Sequence, residues 1–382
     1  MRPLPQVTTI TEFEKQMTIV KLLLMCVLTV GACLHPASAA DRSTNNVVLI
    51  TIDGLRWQDL FAGADERLIN REAGGVREID ALRQRFWADS PEERRTRVMP
   101  FFWNVVAKEG QVLGDVNADS VVRVTNGRNF SYPGYNELLC GFGDEAIDSN
   151  AKLPNRNVTV LEWLNGKSGY QGHVAAFGSW DVFPYILNQD RSGIYVNAGW
   201  QDLDVFANER ELAQWNLLAN SLPRYWSGVR YDAFTFRGAL EYLQVKRPRM
   251  LYVALGETDD WAHDGRYDQY LDAAYRSDQY IQQLWEACQQ LDGYRGKTTF
   301  VITTDHGRGD DRDGWKSHGA SVVGSEYIWI SVIGPDTESL GQRANVKFTQ
   351  SQVAATVAAL LGEDFVAADK RIAPPLPRIA AR

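Results

Sequence analysis

Three apolar runs in this chain each end in acidic or imidazole side chains, and that pattern constrains the fold more than any other feature. Residues 47–52 run into Asp53 and Gly54. Residues 250–255 lead through Gly256 to Glu257, Asp259, Asp260 and His263. Residues 299–304 run into Asp305, His306 and Gly307, with His318 twelve positions after His306. Runs this apolar, without polar alternation, read as strands covered on both faces, as in a parallel sheet. Parallel strands align their carboxyl ends on one edge, where open α/β sheets bind ligands. The three acidic and imidazole groups are therefore expected to meet there as a metal site.

Strands are expected at 46–52, 172–177, 249–255, 298–304 and 327–333. Helices are expected at 100–108, 158–167, 267–291 and 351–361. This alternation predicts an α/β fold, a three-layer α/β/α sandwich around a mainly parallel central sheet. Residues 63–98 read as charged and irregular, with an exposed turn at Pro91-Glu92-Glu93-Arg94-Arg95. Residues 180–247, rich in Trp, Tyr and Phe, read as a peripheral cover beside the site.

With 382 residues, 45% of them apolar, the chain can bury a large core. Its net charge of −8 and lack of a long basic block argue against a nucleic-acid-binding surface. Lys21, the apolar run 22–34 and the small residues Pro36-Ala37-Ser38-Ala39-Ala40 form a secretory signal pattern over residues 1–40. The run is short for a transmembrane span. Glu12 and Glu14 do not suit a signal's first segment, so Met17 is an alternative start. The expectation is a secreted or periplasmic protein cleaved near Ala39/Ala40, with no transmembrane segment in the mature chain, 41–382. Lipid attachment at Cys33 is the alternative. Cys140 and Cys288, which remain after cleavage, read as buried thiols, with a disulfide left open.

Ser131 opens the segment Ser131-Tyr132-Pro133-Gly134-Tyr135, which leads into an apolar stretch ending at Gly141. Proline favours the first turn of a helix and glycine its end, so Ser131 is expected just ahead of a helix N-terminus. Free N–H groups there favour an anion, and a serine beside a metal can lose its proton and attack phosphorus. A plain helix cap is the structural alternative. Asp259 and His263 are four apart and share a face on a helical turn, with Asp260 as the rival ligand. Among the other histidines, His35 falls in the signal and His173 reads as structural. Asp310, Asp311 and Asp313 read as a solvated loop.

Five motifs in this order, Ile52-Asp53-Gly54, Ser131-Tyr132-Pro133, Asp259-x-x-x-His263, Thr304-Asp305-His306-Gly307 and Ser317-His318-Gly319, resemble the alkaline phosphatase superfamily. Within it the chain is most similar to the nucleotide pyrophosphatase/phosphodiesterase branch. The resemblance implies two divalent metal ions, Zn2+ with Mn2+ as the alternative. Asp53, Asp305 and His306 would hold one, with Ser131 as its reactive ligand; Asp259, His263 and His318 would hold the other. It further implies a phosphate-ester small-molecule substrate, hydrolysed as a diester or monoester through a covalent phospho-serine. Arg128, Asn129, Asn150 and Trp57 are candidate substrate contacts, with Phe61 beside Trp57. Two departures stand out. Ser131-Tyr132-Pro133-Gly134 stands where the phosphodiesterase branch usually carries Thr before aromatic-Pro-Asn, and Ser131-x-Pro133-x-Tyr135 lacks the arginine of the sulfatase pattern. Phosphotransferase, mutase and sulfatase chemistry are the alternatives within the superfamily, and a non-catalytic binding protein on this fold is the alternative of another class.

Overall fold

The computed structural model describes Pro3 and residues 42–379. The expected signal segment and its alternative at Cys33 lie outside the described residues. Eleven strands are defined among those residues: β1 Asn46–Ile52, β2 Gln111–Leu113, β3 Ser120–Arg123, β4 Val174–Gly178, β5 Tyr195–Ala198, β6 Met250–Leu255, β7 Thr298–Thr303, β8 Tyr327–Ile328, β9 Ile330–Ile333, β10 Gly341–Gln342 and β11 Val346–Thr349. Eight of them form the central sheet in the order β10-β2-β9-β7-β1-β6-β4-β5. All neighbours in it are parallel except β9, which runs antiparallel to both β2 and β7. β11, β3 and β8 make a separate three-stranded sheet.

β1 shows why its sequence lacks polar alternation. Val48, Ile50 and Ile52 enter one apolar core, and Val47 and Leu49 enter a second on the opposite face. The helices Trp57–Ala62, Asp232–Lys246 and Tyr267–Gln290 cover the first face. The helices Ser131–Cys140, Val160–Asn165 and Gln352–Leu360 cover the other. Two helical layers thus enclose a mainly parallel sheet. Cys140 and Cys288 are both buried free thiols.

Several local expectations change. Residues 63–98 are not irregular: they carry helices Ile79–Phe86 and Pro91–Val98. The expected turn at Pro91 is a helix start. Ser90 Oγ accepts from Glu93 N at 3.1 Å, and Pro91 takes the first position, where no N–H is needed. The single strand expected over 327–333 divides at Trp329 into β8 and β9, which belong to different sheets. The region 180–247 holds more than surface cover. It includes the edge strand β5 and the buried helix Asp232–Lys246, which packs beside β6 and β4, while the helix Glu209–Ser221 lies outside with no buried residue.

Candidate active site

β1, β6 and β7 bring their carboxyl ends to one edge, and their register sets the site. Ile52 pairs with Leu255, and Thr51 with Thr303. Asp53 follows β1 directly, and Asp305 and His306 follow β7. Asp259 and His263 sit on the helix Glu257–His263, entered one residue after β6. Gly54 has φ +59°, and a Cβ there would lie 2.8 Å from Asp259 Oδ1 and 2.9 Å from Arg308 Nε. Only glycine combines that backbone with that space.

The seven expected side chains converge. His306 Nε2 lies 3.4 Å from Asp53 Oδ1, 3.4 Å from Asp305 Oδ2 and 3.7 Å from Asp259 Oδ1. His318 Nε2 is 3.7 Å from Asp259 Oδ1 and 2.9 Å from His263 Nε2, which is 3.2 Å from Asp259 Oδ2. The His306 and His318 rings stack with centroids 4.0 Å apart. Two compact donor groups result: Asp53, Asp305 and His306, and Asp259, His306 and His318. His306 belongs to both, and the half-exposed His263 flanks the second. Asp260, the rival ligand, belongs to neither.

Ser131 is the first residue of the helix Ser131–Cys140. Pro133 had been expected to open this helix, but the chain enters it two residues earlier, from the extended Phe130. Gly141 ends it with φ +82°, as its sequence position suggested. Ser131 Oγ makes no capping bond; it lies 3.4 Å from His306 Nε2, at the edge of the donor cluster. The first-turn N–H of Tyr132 donates to Asn150 Oδ1 at 3.0 Å. A Cβ on Gly134 would sit 2.4 Å from the Asp305 carbonyl oxygen, so the bare backbone lets this helix reach β7. That accounts for glycine at a position where the resemblance led us to expect asparagine.

The surroundings orient two of the imidazoles. His306 Nδ1 faces the Gly307 carbonyl at 2.9 Å, and His318 Nδ1 faces the Asn129 carbonyl at 3.2 Å. With Nδ1–H donating in each ring, Nε2 is left with its lone pair toward the cluster. Asn129 adopts φ +53°, and its side-chain amide donates to Ser325 Oγ at 3.1 Å. Arg128 is exposed. Trp57 lies away from the cluster, lining a cavity with Gln58 and Trp87, and Phe61 is core, packed edge-on against Trp103.

The electrostatics fit a cation. Burial first, then the charge of Asp259, push the Asp53 carboxyl well above its ordinary range; burial and then Asp53 do the same to Asp305. Asp53 Oδ1 and Asp305 Oδ2 are buried with no hydrogen-bond partner among the described residues. Two such oxygens facing an imidazole lone pair are costly unless a positive charge joins them. Burial, and then His306, lower the His318 pKa to about 2, which keeps the ring neutral and able to ligate. For Asp259, burial acts upward, but Arg308 and the neighbouring imidazoles outweigh it and hold the carboxyl well below its usual range.

Two residues of the site escaped the sequence reading. Tyr135 OH donates to Asp53 Oδ2 at 2.8 Å. It stands where the sulfatase pattern has arginine, a departure that marked the position without revealing its contact. Arg308 is buried and donates to the carbonyls of Gly54 (3.1 Å), Lys316 (2.9 Å) and Asp259 (3.0 Å), and also to the Asp259 carboxylate. It joins three ligand-bearing segments. Its only sequence signal was a basic residue directly after Thr304-Asp305-His306-Gly307.

A protein-family model described as Sulfatase matches residues 45–362. The chain belongs to the sulfatase family. This places it in the alkaline phosphatase superfamily; the phosphodiesterase branch is not singled out. The sulfatase-family chain is 26% identical over 245 residues to GPI ethanolamine phosphate transferase 1 of Mus musculus, which covers 63% of this chain and 24% of that protein. The chain thus spans about a quarter of that relative's length. Its fold resembles wild-type alkaline phosphatase PafA, with a TM-score of 0.57 and 11% identity over 88% of this chain and 99% of that one. It also resembles Ps i-CgsB, with a TM-score of 0.53 and 16% identity over 87% and 75% of the two chains.

Proposed function

We propose that this sulfatase-family protein is a secreted, metal-dependent phosphoric-ester hydrolase that uses Ser131 as its nucleophile. The observation that carries the reading is the Ser131 hydroxyl, uncommitted to capping and 3.4 Å from His306 Nε2, at a helix N-terminus beside two buried, unpaired carboxylate oxygens. Asp53, Asp305 and His306 would hold one divalent cation beside Ser131. Asp259, His263 and His318 would hold a second, with His306 close to both groups. Carboxylate and imidazole donors suit zinc, with manganese next. Bound there, the cations supply charge that lowers the serine pKa and stabilises the leaving oxygen.

The chain's own groups do the rest. Ser131 Oγ, deprotonated, forms a bond to phosphorus as the bond to the leaving alkoxide breaks. The phospho-serine is then hydrolysed by water, which releases phosphate or a phosphomonoester and returns the proton to Ser131. The N-terminal turn of the helix Ser131–Cys140 favours the anionic phosphoryl group. Tyr225 and Trp226 pack against Trp261, which shares its helix with His263, and Trp226 Nε1 donates to Asp264 Oδ2 at 3.2 Å; these rings would offer apolar faces to the leaving group.

A second reading, phosphoryl transfer to an acceptor other than water, is favoured by the similarity to a phosphotransferase. Sulfate-ester hydrolysis is the less favoured reading, because Tyr135 replaces the arginine of the sulfatase pattern. The test compares p-nitrophenyl phosphate, bis-p-nitrophenyl phosphate and p-nitrophenyl sulfate, with and without zinc, in the wild type and Ser131→Ala. Metal-dependent phosphate-ester turnover that Ser131→Ala abolishes is expected. Turnover of the sulfate alone, or a fully active Ser131→Ala, overturns the proposal. Faster release of nitrophenol than of phosphate when an alcohol is added favours transfer.

A further inference from the structure

The three-stranded sheet stands apart from the central one, yet its carboxyl end reaches the candidate site. β3 and β11 are parallel, with Arg123 opposite Thr349. Thr125 therefore leaves one strand where Gln350 and Ser351 leave the other. Gln350 N donates to the Arg123 carbonyl at 2.8 Å and ties the two exits together. Both Gln350 and Ser351 are buried.

Their side chains serve different elements. Gln350 Nε2 donates to the carbonyls of Asp305 at 2.6 Å and Thr304 at 3.2 Å, just past the end of β7. The Asp305 carbonyl is also the one that Gly134 approaches so closely. Ser351 Oγ donates to Glu137 Oε1 at 2.6 Å. Glu137 is buried within the helix Ser131–Cys140. Its carboxylate further accepts from Thr125 N at 2.8 Å, Thr125 Oγ1 at 2.5 Å and Asn126 N at 2.8 Å. These donors are all neutral, and a buried carboxylate is tolerated on such terms only where its hydrogen bonds are well made. Thr125 and Asn126 begin the loop that leads into Ser131. Glu137 thus fixes both the helix that bears the serine and the approach to it.

We propose that Gln350, Ser351 and Glu137 are positioning residues, which together hold the helix of Ser131 against the strand end that carries Asp305 and His306. The proposal rests on the reading of Ser131 as the nucleophile. Gln350 grips the ligand-bearing strand end, and its neighbour Ser351 grips the nucleophile's helix. Loosening either bond lets the helix shift against β7 and changes the 3.4 Å between Ser131 Oγ and His306 Nε2. A misplacement of about 1 Å at a reacting group costs on the order of 100-fold in rate. Alignment that matters only in the transition state appears in kcat and leaves KM in place.

Ser351→Ala, Gln350→Met and Thr125→Val test this. Thr125 is an exposed residue, so its variant carries the test if the buried ones do not fold. Thermal unfolding establishes which are folded. In the zinc-loaded proteins, kcat on p-nitrophenyl phosphate is expected to fall about tenfold or more in Ser351→Ala and Gln350→Met, and by a smaller factor in Thr125→Val, with KM unchanged. In the metal-free proteins, hydrogen–deuterium exchange over residues 125–135 is expected to quicken in Ser351→Ala and Thr125→Val. A lower Tm with wild-type kcat per folded molecule marks a purely structural contact and overturns the proposal, as does unaltered exchange in the folded variants. If the wild type itself does not turn over the ester, the hydrolase reading falls, and the exchange measurement alone decides whether these residues hold the Ser131 helix.

Discussion

The Tyr135 phenol donates to Asp53 Oδ2 at 2.8 Å, while the other oxygen of the same carboxylate, Oδ1, faces His306 Nε2 at 3.4 Å. Burial, then the charges of Asp305 and Asp53, raise the phenol's pKa well above its usual value, so it stays a donor across the working pH range. One oxygen is thereby fixed and the other aimed.

Tyr135→Phe removes that orientation and leaves Oδ2 buried and unpaired. Partners that orient metal ligands typically change metal affinity or activity by about 10–100-fold. The expected outcome is weaker zinc retention in a chelator competition titration, with a similar loss in kcat on a nitrophenyl ester. Unaltered zinc retention in a folded Tyr135→Phe would show that the contact only packs the helix.

Arg308→Met should destabilise the metal-free protein more than the metal-loaded one. The substitution strips Asp259 of its buried cationic partner, and breaking such a pair costs about 3–5 kcal/mol. A bound cation would restore part of that loss. Differential scanning calorimetry with and without zinc is expected to show a larger zinc-induced rise in Tm for the variant than for the wild type. Equal rises would mean that Arg308 and the cation act on separate carboxylates.

Gly134→Ala places a methyl group 2.4 Å from the Asp305 carbonyl, a contact that neither helix nor strand can keep. Overpacking of this kind costs about 1–3 kcal/mol. The helix carrying Ser131 must move away from β7, so activity should fall together with the urea midpoint. A variant as stable and active as the wild type would contradict the close approach.

Asp278 gives a pH signature. From the helix Tyr267–Gln290 its carboxylate accepts from Phe101 N at 2.8 Å and Phe102 N at 2.7 Å, and burial pushes its pKa up to about 7. The ordinary aspartate value is 3.8. Between these two values the folded state holds a proton that the unfolded state has lost. Its contribution to stability is therefore full below the unfolded pKa and fades as pH rises toward 7, by at most about 1.4 kcal/mol per pH unit. Urea unfolding at pH 5 and pH 7 should show wild type losing stability relative to Asp278→Asn over that interval. Parallel curves for the two proteins would remove Asp278 as the cause.

The sequence made the central strands legible because burial on both faces leaves an apolar run that periodicity detects. Asp53, Asp305 and His306 were legible because each ends such a run. Tyr135 and Arg308 were hidden for the opposite reason. Their partners, Asp53 and Asp259, lie 82 and 49 residues away, so no local spacing reports the contact. The helices Ile79–Phe86 and Pro91–Val98 were missed because their charged surfaces mask an apolar side as narrow as Leu82, Phe86 and Val98. The Ser90 and Pro91 start signal was present and read as a turn. Trp329 split one expected strand by spending its indole N–H on the Leu55 carbonyl at 2.9 Å.

Asn129 lends its carbonyl to the His318 ring and stands two positions before Ser131. Any shift of that short link would move Ser131, the proposed nucleophile, and the His318 imidazole at the same moment. Variation that broadens what the protein accepts should therefore gather on outer loops such as 222–227, while the stretch from 129 to 131 tolerates little change.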